Sequence, residues 1–124
     1  MGFLLVFVGS GLGGMMRHGV GLLSLRLFGP AFPYGTLGIN IIGSALMGLV
    51  VALFAHLDSP HPGARLFLTT GIIGGFTTFS TFSLDTAALW ERGQHVAAVL
   101  YVVASVTVSI AALFVAMHLA RRIG

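Results

Sequence analysis

Four long apolar runs alternate along the chain with short stretches of polar residues and helix breakers. The runs cover about residues 2–25, 36–57, 66–90 and 96–120. Each suffices for the roughly 20 residues that one membrane-spanning helix consumes. Between them lie Phe28-Gly29-Pro30-Ala31-Phe32-Pro33-Tyr34-Gly35, Asp58-Ser59-Pro60-His61-Pro62-Gly63 and Glu91-Arg92-Gly93-Gln94-His95. A membrane barrel needs segments of about 10 residues with alternating polarity, and these runs are longer and apolar on every side. The first run has neither a basic leading region nor a small-residue cleavage site, so it reads as a retained helix. The expectation is an all-α integral membrane protein, one domain over 1–124 with four transmembrane helices. Tyr34 and Trp90 fall where aromatic side chains anchor helices at the membrane–water interface.

Composition narrows the function classes. Only 7% of residues are charged and the mean hydropathy is +1.03, against about 25% charged in a soluble domain. That excludes a soluble enzyme, a disordered regulator and a fibrous repeat. Without cysteine, disulfide and thiolate chemistry are excluded too. The six Arg residues are scattered around the apolar runs, unlike the clustered bases of a nucleic-acid binder. No nucleic-acid partner is expected, and the adjacent Arg121 and Arg122 suit anionic lipid headgroups. The five His show no ligand spacing, no nucleophile–base set occurs, and the glycines are no P-loop in a chain without Lys. Nothing in the sequence argues for catalysis.

Arginine placement also bears on orientation. With four spans, Arg65, Arg121 and Arg122 share one side, while Arg26 and Arg92, with Arg17 nearby, lie on the other. Orientation normally follows an excess of Lys and Arg in cytoplasmic loops. Here there is almost none, so the chain is expected to insert both ways and pair antiparallel.

Polar groups at membrane depth carry the remaining information. Thr36, Asn40, Ser44 and Gly48 recur every four residues, on one helical face. For Asn40, interhelical hydrogen bonding outweighs a functional role on this spacing alone. Tyr101, Ser105 and Ser109 form a second stripe, where hydroxyls commonly bond their own i−4 carbonyls. Gly9-xxx-Gly13 and Gly71-xxx-Gly75 permit close helix packing. Residues 69–83 hold three glycines and seven hydroxyls. Gly74-Gly75 followed by Thr77-Thr78 favours a broken helix whose freed carbonyls need protein, water or an ion; a kink healed by hydroxyls is equally compatible. Phe79 and Phe82 share a face beyond the break. Such pairs are usually core, yet aromatic edges are weakly positive and could meet a small anion. Arg17 requires carbonyls, a water-filled vestibule or a carboxylate, and Asp85 is placed to reach interfacial water.

These residues carry a resemblance. Gly74-Gly75-Phe76-Thr77-Thr78-Phe79-Ser80-Thr81-Phe82-Ser83 resembles the third-span signature of the Fluc/CrcB fluoride channels. Tyr34-Gly35-Thr36-Leu37-Gly38-Ile39-Asn40-Ile41-Ile42-Gly43 is similar to that family's second-span motif, and Gly11-Leu12-Gly13-Gly14-Met15-Met16-Arg17 to its first. Gly14 and His18 depart from the family's commoner Ala and aromatic. The resemblance implies an antiparallel homodimer in a bacterial plasma or inner membrane, passing fluoride passively outward through two pores. It implies Asn40 as a pore hydrogen-bond donor, Phe79 and Phe82 as anion-facing rings, and Tyr101, Ser105 and Ser109 as a polar track. Arg17 joins that fluoride pathway, and the main-chain carbonyls of Gly74 and Thr77 would hold a structural sodium ion. Two other classes compete. A small proton-coupled multidrug exporter needs a carboxylate deep in the membrane, whereas Asp85, the lone acid in any span, lies near an end. A structural or holin-like subunit would use the stripes only for packing.

Overall fold

The computed structural model describes residues 1–55 and 61–123. The end of the second apolar run and most of the link after it lie outside the described residues. The described chain is helical, without strands: α1 (Gly2–Phe28), α2 (Tyr34–Ala55), α3 (Pro62–Leu66), a π-helical segment (Phe67–Ile73), α4 (Gly74–Phe76), α5 (Ser80–Glu91) and α6 (His95–Ile123). Three of these, α1, α2 and α6, are long and apolar enough to cross a membrane.

Local chemistry sets the boundaries. α1 stops where Gly29 turns to φ 77° and its N–H bonds the Leu25 carbonyl at 2.9 Å, a backbone conformation that glycine adopts without penalty. α2 starts two residues before the expected point because Pro33 presents a free carbonyl to the Leu37 N–H at 3.2 Å. α3 starts four residues early at Pro62, whose fixed φ suits the first turn of a helix. α6 runs on through Arg121 and Arg122, cations that complement the negative end of the helix dipole.

The third run is several elements in line. α3, the π-helical segment and α4 follow one another without interruption, and then Thr77 adopts an extended conformation (φ −83°, ψ 158°). Helical geometry resumes at Ser80. α1 packs along the π-helical segment and α4, while α2 and α5 pack on α6. The α1 contact is nearly backbone on backbone: a Cβ at Gly13 would collide with the Ile72 carbonyl, and one at Gly9 would sit 2.8 Å from Gly71 Cα. Across the α2–α6 contact, a Cβ at Gly48 would likewise strike the Leu113 carbonyl. The small-residue pairs therefore serve close approach, the packing mode of helices in lipid.

The interior is small, with Phe82, Leu89, Ala98 and Tyr101 at its centre between α5 and α6. Large apolar side chains such as Phe3, Phe7, Leu100 and Phe114 point outward. An apolar exterior of this kind suits lipid rather than water.

Candidate functional site

The extended residue at Thr77 removes backbone partners, and the fold replaces them. In an uninterrupted helix the Thr78 N–H would bond the Gly74 carbonyl, since each N–H pairs four residues back. Instead it donates to Asn40 Oδ1 at 2.9 Å, and Asn40 Nδ2 returns a bond to the Thr78 carbonyl at 2.9 Å. The Gly75 carbonyl, which Phe79 would have served, accepts Arg17 Nε at 3.2 Å. The Thr81 N–H turns from Thr77 to Thr78 Oγ1 at 3.2 Å. Three elements thus repair one break: α1 through Arg17, α2 through Asn40, and the break itself through Thr78. The carbonyls of Gly74 and Thr77 are the ones whose helical donors have been drawn elsewhere.

Two cavities meet at Thr78. The narrower, about 390 Å³, brings together Asn40, Thr77, Phe79, Phe82, Ser105 and Ser109. Its wall contains no charged side chain among the described residues. Phe79 and Phe82 stand 5.5 Å apart, centroid to centroid, at 54°. Phe82 is buried, whereas Phe79 is 77% exposed on the single chain. The hydroxyl oxygens of Ser105 and Ser109 are buried and have no hydrogen-bond partner among the described residues. Unpaired hydroxyls in a low-dielectric wall cost free energy until something accepts their proton.

The wider cavity, about 610 Å³, holds Arg17, His18, Asp85 and Arg92. Its charge is mainly positive, and Arg17 lines it with Nε committed to the Gly75 carbonyl. Among the partners open to Arg17, the fold supplies both a carbonyl and a vestibule.

Several placements differ from the expectation or extend it. Asp85 does not end in interfacial water alone: its Oδ2 accepts the Tyr101 hydroxyl at 3.2 Å. That bond turns Tyr101 away from the narrow cavity, where Ser105 and Ser109 lie, and sets its ring behind Phe82 at 5.2 Å. Asn40 lines the cavity, but its carboxamide is closed on the Thr78 peptide; one amide hydrogen is left over. Gly74 lies one turn before the break, exposed on the single chain. Thr78 serves the break with both its peptide and its hydroxyl, a role that helical spacing does not reveal; its one signal in the sequence is its place directly after a β-branched neighbour at the break. Among the described residues no three His, Cys, Asp or Glu side chains gather as a metal cluster.

A helical chain with several helices apolar and long enough to cross a membrane, an extended residue at Thr77 whose freed backbone groups side chains serve, and a neutral polar cavity beside it fits the class of membrane proteins that move small ions. The family model described as CrcB-like protein, Camphor Resistance (CrcB), matches residues 4–117, and the chain belongs to that family. It is 54% identical over 121 residues to a Granulibacter bethesdensis protein named fluoride-specific ion channel FluC, covering 98% of this chain and 95% of that one. A Rhodopseudomonas palustris protein of the same name is 52% identical over 123 residues, covering 99% of each. A Nitrobacter hamburgensis protein named fluoride-specific ion channel FluC 2 is 48% identical over 123 residues, again 99% of each.

Proposed function

We propose that this chain forms a passive fluoride channel of a bacterial plasma membrane, lowering cytoplasmic fluoride by letting it leave down its electrochemical gradient. The observation that carries the reading is the uncharged wall of the narrow cavity, where free hydroxyls and aromatic rings stand beside the Asn40–Thr78 clasp. Fluoride is small and strongly hydrated. A site that strips its water must offer donors, yet conduction needs binding weak enough for release. Ser105, Ser109 and the spare Asn40 amide hydrogen are neutral donors, and the positive edges of Phe79 and Phe82 add a weak field. A full cation inside the wall would hold the ion too firmly. The Arg17 charge lies instead in the wider cavity, placed to raise the local anion concentration.

In this reading the interrupted third run crosses the membrane as a broken fourth span. Two copies pair antiparallel and complete two pores. The exposure of Phe79 and Gly74 on the single chain supports a covering partner. A structural sodium ion fits the same break. The Gly74 and Thr77 carbonyls have lost their helical donors, they are hard oxygen ligands without charge, and lipid offers them nothing. The ion's part is to satisfy those carbonyls, while the chain's own residues conduct.

Fluoride efflux from liposomes tests the reading. Fast, electrogenic release without a proton gradient is the expected result. Release that requires a proton gradient would point to a coupled exporter, and no release to a structural subunit.

A further inference from the structure

Six aromatic rings stand in contact from the α1–α2 link to the break. Centroid separations are 5.3 Å for Phe28–Tyr34, 4.9 Å for Tyr34–Phe32, 5.5 Å for Phe32–Tyr101, 5.2 Å for Tyr101–Phe82 and 5.5 Å for Phe82–Phe79. Tyr101 is the turning point. It is fully buried, its hydroxyl is tied to Asp85, and the Phe32 ring meets it at 86°, edge against face. Two hydrogen bonds hold the backbone around Phe32. The Tyr34 N–H bonds the Phe32 carbonyl at 2.8 Å, and Arg92 Nη2 bonds the neighbouring Ala31 carbonyl at 3.2 Å.

We propose that Phe32 is a positioning residue for the fluoride pathway, acting through Tyr101 to set the tilt of the Phe82 ring at the narrow cavity. The proposal rests on the fluoride reading above. Phe32 borders the wider cavity and not the narrow one, so it reaches the pathway rings only through its neighbours. The link is physical. Close-packed interiors pass a displacement on rather than absorb it, and the field of an aromatic ring at a guest depends on whether edge or face is turned toward it. Phe82 stands at 47° to Tyr101 and 54° to Phe79. Without the Phe32 ring, the Tyr101 ring gains room to pivot about its bond to Asp85, and Phe82 follows.

The test uses the full chain in liposomes, with 4-fluorophenylalanine at position 82 read by fluorine NMR in parallel samples. Phe32→Leu is expected to cut fluoride flux roughly two- to tenfold, the range spanned by a single aromatic contact, and to move the position-82 resonance. Phe32→Tyr keeps the ring and should restore both. Wild-type flux in Phe32→Leu, or reduced flux with an unmoved resonance, overturns the proposal. If Phe32→Leu gives no folded dimer, Phe32→Met is read the same way. Failure of both to fold makes Phe32 a packing residue and overturns the proposal as well. A wild-type chain that conducts no fluoride sinks the fluoride reading instead, and does so whatever the resonance shows.

Discussion

The Asn40 carboxamide and the Thr78 peptide close on each other through two bonds, both 2.9 Å long. The pairing copies what a neighbouring strand would offer, supplied by one side chain of α2 to a backbone that has left its helix. It also places the hydrogen-bond glue and the candidate pathway in one residue, since Asn40 lines the narrow cavity while holding its edge.

Substitutions at Asn40 separate those two roles. Asn40→Ala leaves the half-buried Thr78 N–H and carbonyl without partners; the cost for each approaches the about 1–3 kcal/mol of a buried unpaired group only where water is kept out. A lower melting temperature of the solubilised protein and loss of flux are expected together. Asn40→Asp keeps an acceptor for the Thr78 N–H but sets a carboxylate against the Thr78 carbonyl and the pathway. Fluoride flux should collapse with a smaller loss of stability. Wild-type flux from folded Asn40→Asp would remove Asn40 from the pathway.

Phe79→Ile addresses the rings. Phe79 is 77% exposed on the single chain, so little protomer packing is lost with it, but isoleucine has no positive edge to turn toward an anion. Flux should fall sharply in liposomes while size-exclusion chromatography still reports the folded assembly. Unchanged flux would leave Phe79 as ordinary packing.

The long helices were legible because three of the runs are continuous and apolar for more than 20 residues, which few other structures accommodate. The irregularity after Gly74-Gly75 was legible as a loss of helix propensity among hydroxyls, though the residues alone left a kink and a break equal. The π-helical segment was not. A shift of the backbone bonds from i−4 to i−5 leaves apolar composition unchanged, and the Ser10 hydroxyl that reaches the Gly71 carbonyl at 3.5 Å sits 61 residues away. The bond from Tyr101 to Asp85 was equally hidden. The two lie on different helices, so no helical spacing links them, and the stripe of Tyr101, Ser105 and Ser109 read as one face because periodicity cannot show that a hydroxyl turns away.

The α1 contact yields a prediction about folding rather than conduction. Gly13→Ala drives a methyl group into the Ile72 carbonyl, and backbone there has no rotamer to yield. Overpacking of this kind costs about 1–3 kcal/mol. Gly19→Ala meets nothing within 4 Å on the same helix and replaces a poor helix former, so the protomer should tolerate it. Thermal melts in detergent should therefore rank Gly13→Ala well below Gly19→Ala. The reverse order would mean that α1 does not seat against the π-helical segment.

Sodium dependence is the sharpest test of the break. The Thr78 and Thr81 N–H groups that would serve Gly74 and Thr77 are bound to Asn40 and Thr78 Oγ1, and an unserved carbonyl in lipid costs several kcal/mol. Uncharged oxygens suit a monovalent cation; a transition metal would favour imidazole or thiolate, and no cluster of such side chains occurs among the described residues. An ion that binds only the paired, folded form stabilises it by mass action, about 1.4 kcal/mol for each tenfold rise in concentration above the dissociation constant. Replacing sodium with N-methyl-D-glucamine should therefore lower the melting temperature of the assembly and stop or slow fluoride flux. Exchanging chloride for another large anion at constant sodium should do neither. Titrating sodium back should restore stability and flux with the same midpoint. Equal stability and flux in sodium and N-methyl-D-glucamine, or difference density that shows only water between the Gly74 and Thr77 carbonyls of two copies, would refute a structural cation at the break.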